Sequence, residues 1–405
     1  MRYRIYCDAL VTDGQRYRQR ALVIEQGRVV AWEPYDPARL ARIEPPDIDA
    51  RGYIALPGMI DIHVHGGFGR DMMEGTTNAI QAIARQLVRH GVTAFLVTPL
   101  TAPWHAIRQC IAAAREVRTH GADGARVLGC HLEGPFINPQ RAGAQPPEYI
   151  RPPSVRELEA ELGELISELR IITLAPELDG ALELIRYLVA QGVIVSVGHT
   201  DATYEEVQRA VELGARHATH TFNAMRPFQH RDPGTVGAVL TMPELTAEII
   251  WDHVHTHPAA AELLVHAKGA EGVICVSDGT TGVGMPDGYE FELWGHRAVV
   301  RKNAARMVET GGLAGSTIAM DTCLRLCAQA FGLETASLLC AANPARALGY
   351  ECQLGTLRPS AQADIILWDP ATQQVAQVFV AGVRQNLVSP SAGIESPATN
   401  RNTQP

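Results

Sequence analysis

The stretch ALPGMIDIHVH, residues 55–65, is a short apolar run that ends in carboxylate and imidazole side chains. Apolar runs bounded by turn residues are the mark of strands buried on both faces, as in a parallel sheet covered by helices. Seven more follow: TAFLVTP (93–99), VLGCHLEGP (127–135), IITLAPE (171–177), VIVSVGHT (193–200), HATHTFN (217–223), TAEIIWDHVH (246–255) and GVICVSDG (272–279). Most lead into a helix-like segment such as AIQAIARQLVRH (79–90) or TYEEVQRAVELG (203–214). Eight βα units are the barrel number, so residues 57–353 are expected to form a TIM-like (β/α)8 barrel of the α/β class.

Outward from the barrel the pattern changes. Residues 1–56 read as short strands (RYRIYCDALVTD, RALVIEQGRVVAWEP) broken by Gly, Asp and Pro, and strand character returns over 354–388. Neither end has enough strands to bury an apolar face alone, so the two are expected to join in one small β-sandwich domain. Within the barrel segment, 291–302 reads as a hairpin insertion and 315–349 as two helices. The tail 389–405, SPSAGIESPATNRNTQP, is polar and Pro-rich and is expected to be disordered.

The 405 residues are 46% hydrophobic and 20% charged, as in an ordinary globular protein with ample core. A net charge of −9 argues against nucleic acid or an anionic membrane as partner and favours a small-molecule ligand. Eight scattered cysteines lack the spacing of a disulfide framework and are read as reduced. The N-terminus alternates like a strand and no long apolar run occurs, so the cytoplasm is the expected compartment. Lysine is confined to Lys268 and Lys302, outside every motif below.

Polar residues collect at the C-terminal ends of the strands, the face on which a barrel builds its site. A side-chain period of two puts His63 and His65 on one face, where both imidazoles can reach one metal ion. His131 and Glu133 end the third strand, His199 the fifth, His217 and His220 the sixth, Ser277 and Asp278 the eighth. A single His at a strand end is more often a hydrogen-bonded structural residue than a ligand. Five strands ending alike are hard to explain by packing, because such groups are costly to bury unpaired. His131 and His217 are expected to be structural, and His90, His105, His120 and His266 to lie on the surface.

These motifs resemble the amidohydrolase superfamily and, within it, the N-acetylglucosamine-6-phosphate deacetylase family. The likeness runs from LPGMIDIHVHG (56–66) through HLEGPFINP (131–139), VGHTDATYEE (197–206), HTFNAM (220–225), RDPG (231–234), VSDG (276–279) and GGLAGST (311–317) to NPARALG (343–349). HLEGPF with GHT and FNAM is specific to the family, whereas the paired histidines mark only the superfamily. The resemblance implies Glu133, His199 and His220 as ligands of a principal divalent metal, zinc or iron first among those that suit them. His63 and His65 would hold a second ion, with Glu133 bridging, so one or two ions per subunit are implied. Asp278 matches the general base. Asn223, Ala224, Arg231 and His255 match the groups that hold the sugar phosphate, with Ala144, Gln145 and the backbone of Leu313, Ala314 and Gly315 around the rest of the sugar. GGLAGST can alternatively be read as a helix entry ahead of an N-cap Ser316 or Thr317.

Two departures stand out. Gln145 occupies the place of a family histidine that holds the substrate carbonyl; its amide can donate the same hydrogen bond but cannot carry charge. In WDHVH (251–255), a histidine, His253, stands where the family commonly has glycine. The implied reaction is deacetylation of N-acetyl-D-glucosamine 6-phosphate, with the galactosamine epimer as the nearest rival. Relatives that bridge two metals with a carbamylated lysine need a lysine at a strand end, which is lacking here. A non-catalytic sugar-phosphate binder would be favoured by loss of Asp278 or a ligand, and none is lost. The resemblance also implies a homodimer, or a dimer-based tetramer, in which Arg231 on the loop 226–237 serves the neighbouring subunit.

Overall fold

The computed structural model describes residues 1–293 and 295–387, so the tail expected over 389–405 lies outside the described residues. Each of the eight apolar runs overlaps a strand: Met59–Asp61, Val92–Val97, Arg126–Glu133, Leu169–Leu174, Ile194–Val197, His217–Ala218, Thr246–Ile250 and Val273–Val276. They lie side by side in chain order in one eight-stranded sheet, every neighbouring pair parallel. The first and eighth close the ring just past their ends, where Asp278 N–H donates to His63 O (2.9 Å) and His65 N–H to Gly279 O (2.8 Å). That seam carries three of the candidate residues, so closing the barrel also assembles part of its site.

Alternate residues of the strands fill the interior: Ile60, Ile62, Ala94, Leu96, Leu128, Ile171, Ile250, Ile274 and Val276 form one buried cluster. A fully buried aliphatic side chain contributes roughly 1.5–3 kcal/mol. Asn343 plugs the opposite end of the barrel, its amide donating to Ala270 O and Val273 O at 2.7 Å each. The outer helices present one apolar stripe to the sheet. In Thr77–Leu87 the stripe is Ile80, Ile83, Ala84 and Leu87, and the Thr76 hydroxyl caps the N-terminus. The helix Tyr204–Glu212 opens on a reciprocal Thr203–Glu206 capping box.

The two chain ends share one seven-stranded sheet. Ile365–Asp369 pairs antiparallel with Ile48–Pro57, joining the C-terminal strands to the N-terminal ones. The sheet curls until Val29 N–H reaches Ala361 O (3.0 Å) and Ala363 N–H reaches Gly27 O (2.8 Å). One face can therefore enclose a core of its own, with Ile5, Leu22, Ile365, Leu367 and Phe379, as the two layers of a sandwich would. The other face gives Val11, Leu56, Ile366, Trp368 and Val378 to the barrel's outer core.

The insertion is larger than the hairpin expected over 291–302. Glu290–Leu293, His296–Arg301, Ala304–Met307 and Leu313–Ser316 form a four-stranded antiparallel sheet. GGLAGST thus contributes a strand rather than a helix entry, and the next helix is Met320–Phe331. The second helix expected before 349 is broken into Leu333–Ser337, a π turn over Leu338–Ala342, and Asn343–Ala347. No helix among the described residues is long and apolar enough to cross a membrane.

Candidate active site

Glu133 is the last residue of the third strand, and His199 and His220 follow the fifth and sixth. Backbone angles turn the last two inward: His199 has φ 48° and His220 φ 27°, as Asp278 has φ 47°. A non-glycine residue in this left-handed region is strained by about 1–3 kcal/mol, and such strain concentrates at functional sites. Room for the turn comes from Gly198, where a Cβ would sit 2.7 Å from Thr219 Cβ and 2.8 Å from Thr173 Cγ2.

The result is a convergent set of electron-pair donors. Glu133 Oε1 lies 3.1 Å from His199 Nε2 and 3.0 Å from His220 Nε2, and the two nitrogens are 3.1 Å apart. His199 Nδ1–H donates to Arg141 O (2.8 Å), so its Nε2 turns a lone pair to the centre when the ring is neutral. A second set adjoins it. His63 and His65 bring their Nε2 atoms to 3.2 Å from each other, with Asp278 Oδ1 at 3.5 and 3.2 Å from them. Glu133 serves both sets: Oε1 is 3.4 Å from His63 Nε2 and Oε2 is 3.3 Å from His65 Nε2. His65 Nδ1–H donates to Thr98 O (3.0 Å) and His63 Nδ1–H to Glu248 Oε2 (2.9 Å), which again leaves the Nε2 lone pairs facing inward.

Lone pairs and carboxylates facing one another at such distances repel unless positive charge lies among them. Protons alone supply it only by perturbing the imidazoles. Burial opposes charging His65, yet Asp278 and Glu133 outweigh it and raise the ring to about 9. His63 is likewise driven well above its ordinary value, against burial, by Glu248 and Glu133. Glu133 is held well below the usual carboxylate range, His63 and His199 overcoming its burial. Asp278 is also lowered, its burial outweighed by His65 and His63. Imidazole and carboxylate with this spacing suit a divalent cation, and the groups Glu133–His199–His220 and His63–His65–Glu133 each bring three ligand atoms within 4.8 Å of one another.

Around the donors lies a cavity lined by Asp278, Gln145, Ala144, Asn223, Ala224, His255, Leu313, Ala314 and Gly315, with Leu100, Thr280 and Leu293 completing its walls. Gln145 is fixed in one orientation: Thr101 N–H donates to its Oε1 (2.8 Å), and its Nε2 therefore faces and donates to Glu133 Oε2. His255 Nδ1 donates to Asp252 Oδ2 (2.6 Å), leaving Nε2 buried with no partner among the described residues. Burial would depress the ring, but Asp252 outweighs it and raises it. Gly315 (φ 68°) lets the last insertion strand pass close, since a Cβ there would lie 2.5 Å from Thr280 Cγ2. Arg231 does not join them. It is exposed at the tip of the Gln229–Asp232 hairpin and does not line the cavity of its own subunit.

His131 and His217 take hydrogen-bonding positions. His131 contacts Ile62 O (2.9 Å) and Thr173 Oγ1 (2.8 Å), and burial, with His63 nearby, lowers it to about 3. His217 Nε2 contacts Glu248 Oε1 at 3.0 Å. His90, expected on the surface, is half-buried, stacked on Phe68 and paired with Asp321. Sequence reasoning missed Glu248, a fully buried carboxylate of the seventh strand that holds His63, His217 and the His220 backbone N–H (3.1 Å). A signal existed: in TAEII it is the lone charge in an apolar run, two residues before the interior Ile250. Asp61, at the end of the first strand, has a structural role. It ties strand one to strand eight through Ser277 Oγ (2.5 Å), and burial pushes it up to about 6.

Residues 54–389 match the model of the amidohydrolase family. An N-acetylglucosamine-6-phosphate deacetylase of Vibrio furnissii is 38% identical over 361 residues, 88% of each chain. An N-acetylgalactosamine-6-phosphate deacetylase of Escherichia coli O157:H7 is 36% identical over 348 residues, 85% of this chain and 91% of its own. Among solved structures, the D267A mutant of the Mycobacterium smegmatis N-acetyl-D-glucosamine-6-phosphate deacetylase, in complex with N-acetyl-D-glucosamine-6-phosphate, superposes with a TM-score of 0.87. It is 32% identical, covering 96% of this chain and 100% of that one. Donor geometry, strand order and these likenesses agree: the chain belongs to the amidohydrolase family and, within it, to the family of the N-acetylglucosamine-6-phosphate deacetylases.

Proposed function

We propose that this chain hydrolyses the acetamide of N-acetyl-D-glucosamine 6-phosphate to D-glucosamine 6-phosphate and acetate. The observation that carries the reading is the buried Asp278 carboxylate at the cavity wall, beside two groups of metal-type donors and outside the Glu133–His199–His220 set. Those three residues would hold the principal ion, and His63 and His65, with Glu133, a second. When bound there, a divalent ion acidifies water and polarises the amide carbonyl. Asp278 accepts the proton of the attacking water as its oxygen bonds to the carbonyl carbon. It then returns that proton to the sugar nitrogen as the C–N bond breaks. Gln145 donates its remaining N–H toward the carbonyl, a role its fixed amide orientation supports.

Asn223, Ala224 and His255 are assigned to the sugar phosphate on the near side, with Leu313, Ala314 and Gly315 opposite. Arg231 is assigned to the phosphate in the site of a partner subunit, which its exposed hairpin tip favours; the assembly is then a homodimer or a dimer of dimers. Zinc or iron fits the ligands, and the cytoplasm is the proposed compartment. Acetate release from N-acetylglucosamine 6-phosphate and its unphosphorylated form, with metal content measured alongside, tests the reading; no release from either sugar by metal-replete protein overturns it. The galactosamine epimer is the second substrate to assay, because a 36% identical relative bears that name.

A further inference from the structure

The loop after the third strand and the hairpin after the sixth are tied by a run of ion pairs that the site as described does not use. At one end stands Arg141, whose carbonyl accepts from His199 Nδ1 (2.8 Å). Its guanidinium donates twice to Asp201 Oδ1, at 2.9 and 2.6 Å. Asp201 in turn meets Arg226: Nη1 donates to its main-chain O (3.3 Å) and lies 3.7 Å from Oδ2. Arg226 then closes on Asp232 Oδ2 through Nε (3.2 Å) and Nη2 (2.6 Å). Asp232 is the last residue of the two-way main-chain pairing with Gln229 that displays Arg231.

An isolated exposed pair contributes little, and the members here keep between 29% and 44% of their side chains in water. Two features distinguish this run. Both arginines direct two charge-assisted N–H donors at one carboxylate oxygen, Arg141 at Asp201 Oδ1 and Arg226 at Asp232 Oδ2. Asp201 is itself anchored, its N–H donating to Glu177 Oε1 (2.7 Å), while Glu177 also holds Asn138 Nδ2 (2.8 Å) and Thr200 Oγ1 (2.5 Å). The hairpin's base is held by main-chain bonds, Arg226 N–H to Thr200 O (3.0 Å) and Val236 N–H to Arg226 O (3.3 Å), whereas Phe228, Gln229, His230 and Arg231 beyond it are all exposed.

We propose that Asp201 is a positioning residue for phosphate recognition. The Arg141–Asp201–Arg226–Asp232 run braces the hairpin against the segment that orients His199, so that Arg231 is presented in a fixed position at the hairpin tip. The inference rests on the deacetylase reading and on the assignment of Arg231 to the phosphate. Asp201 neither lines the cavity nor supplies a donor atom to either set, so metal content separates a displaced Arg231 from a disturbed His199.

The test is a double-mutant cycle on the metal-replete protein: wild type, Asp201→Asn, Asp232→Asn and the pair, each assayed on the phosphorylated and unphosphorylated sugar. Metal content and Tm are measured in parallel. Each single substitution is expected to lower the preference for the phosphorylated sugar about tenfold, mainly through its KM, with metal retained. The pair is expected to lose little more than either alone, since both cut one run, and Asp201→Glu is expected to restore part of the preference. An unchanged preference, equal losses on both sugars or fully additive losses would overturn the brace. A wild type that releases acetate from neither sugar would instead overturn the deacetylase reading.

Discussion

Glu248 Oε2 lies 2.9 Å from His63 Nδ1, and both side chains are fully buried. The carboxylate's other oxygen meets His217 Nε2 at 3.0 Å, and Oε2 also accepts from His220 N–H at 3.1 Å. One carboxylate beneath the site thus sets the tautomer of His63 and the backbone position of His220. His63 and His217 overcome its burial and keep it well below the ordinary carboxylate range.

Replacing Glu248 should therefore act on metal and fold together. Glu248→Ala leaves buried donors without an acceptor, a loss on the order of 3–5 kcal/mol where a buried charge partner is removed. Glu248→Gln keeps the volume but frees His63 to take the other tautomer. Elemental analysis of Glu248→Gln is expected to show a lower metal content, through the ion proposed beside His63 and His65, with a lower Tm. Unaltered metal content and Tm would remove Glu248 from any supporting role.

Asp278→Asn preserves size and removes the proposed proton acceptor. Turnover is expected to fall by about 10²–10⁴-fold, the usual contribution of a general base, with metal content near that of wild type. Steady-state kcat and elemental analysis on one preparation check both halves, and a near-normal kcat would reassign the base.

How much of this site could be read from sequence follows from physical period. Apolar runs ending in His, Glu or Asp identify barrel strands and their ligand-bearing ends because a strand buried on both faces tolerates polar groups only where it leaves the sheet. Glu248 broke that rule from inside a strand, which only its buried partners make affordable. The insertion was under-read for a local reason. Its third strand follows a two-residue turn, Lys302 (φ 52°) and Asn303 (φ 60°), in the mirror-image geometry that usually announces itself as Asn-Gly. The inward aim of His199, His220 and Asp278 was hidden as well: His and Asp adopt a left-handed backbone more readily than most non-glycine residues, but too seldom for their identity alone to foretell it at a given position.

Metal removal should expose the titration that cations suppress. Asp278 and Glu133, against burial, raise His65 from 6.5 to about 9. A group raised in the folded state stabilises below its unfolded value and loses that contribution as pH climbs through the folded one. Chelator-treated protein is thus expected to lose Tm between about pH 6.5 and 9, whereas metal-loaded protein, with the Nε2 atoms ligated, should not. At the other end, Glu133 and Asp278 are lowered, so their contribution is lost as pH falls below the ordinary carboxylate range. Parallel thermal melts across that range decide it, and identical profiles for the two forms would argue against metal at His65.

Arg231 supplies the last prediction, because its exposed place on the hairpin leaves its own cavity without it. Arg231→Ala is expected to raise KM for the phosphorylated sugar far more than for the unphosphorylated one, a charge-assisted hydrogen bond being worth roughly 1.5–3 kcal/mol. Whose site it serves is decided by mixing. An Asp278→Asn protein keeps its arginine and lacks its base, and an Arg231→Ala protein has the reverse defect. If the arginine crosses the interface, a hybrid dimer holds one site with both defects and one with neither, and activity on the phosphorylated sugar reappears when the two variants are unfolded together and reassembled. If the arginine serves its own subunit, every site in the hybrid keeps one defect. Hybrid dimers demonstrated by differential tagging and showing no regain of activity would place the arginine within its own subunit.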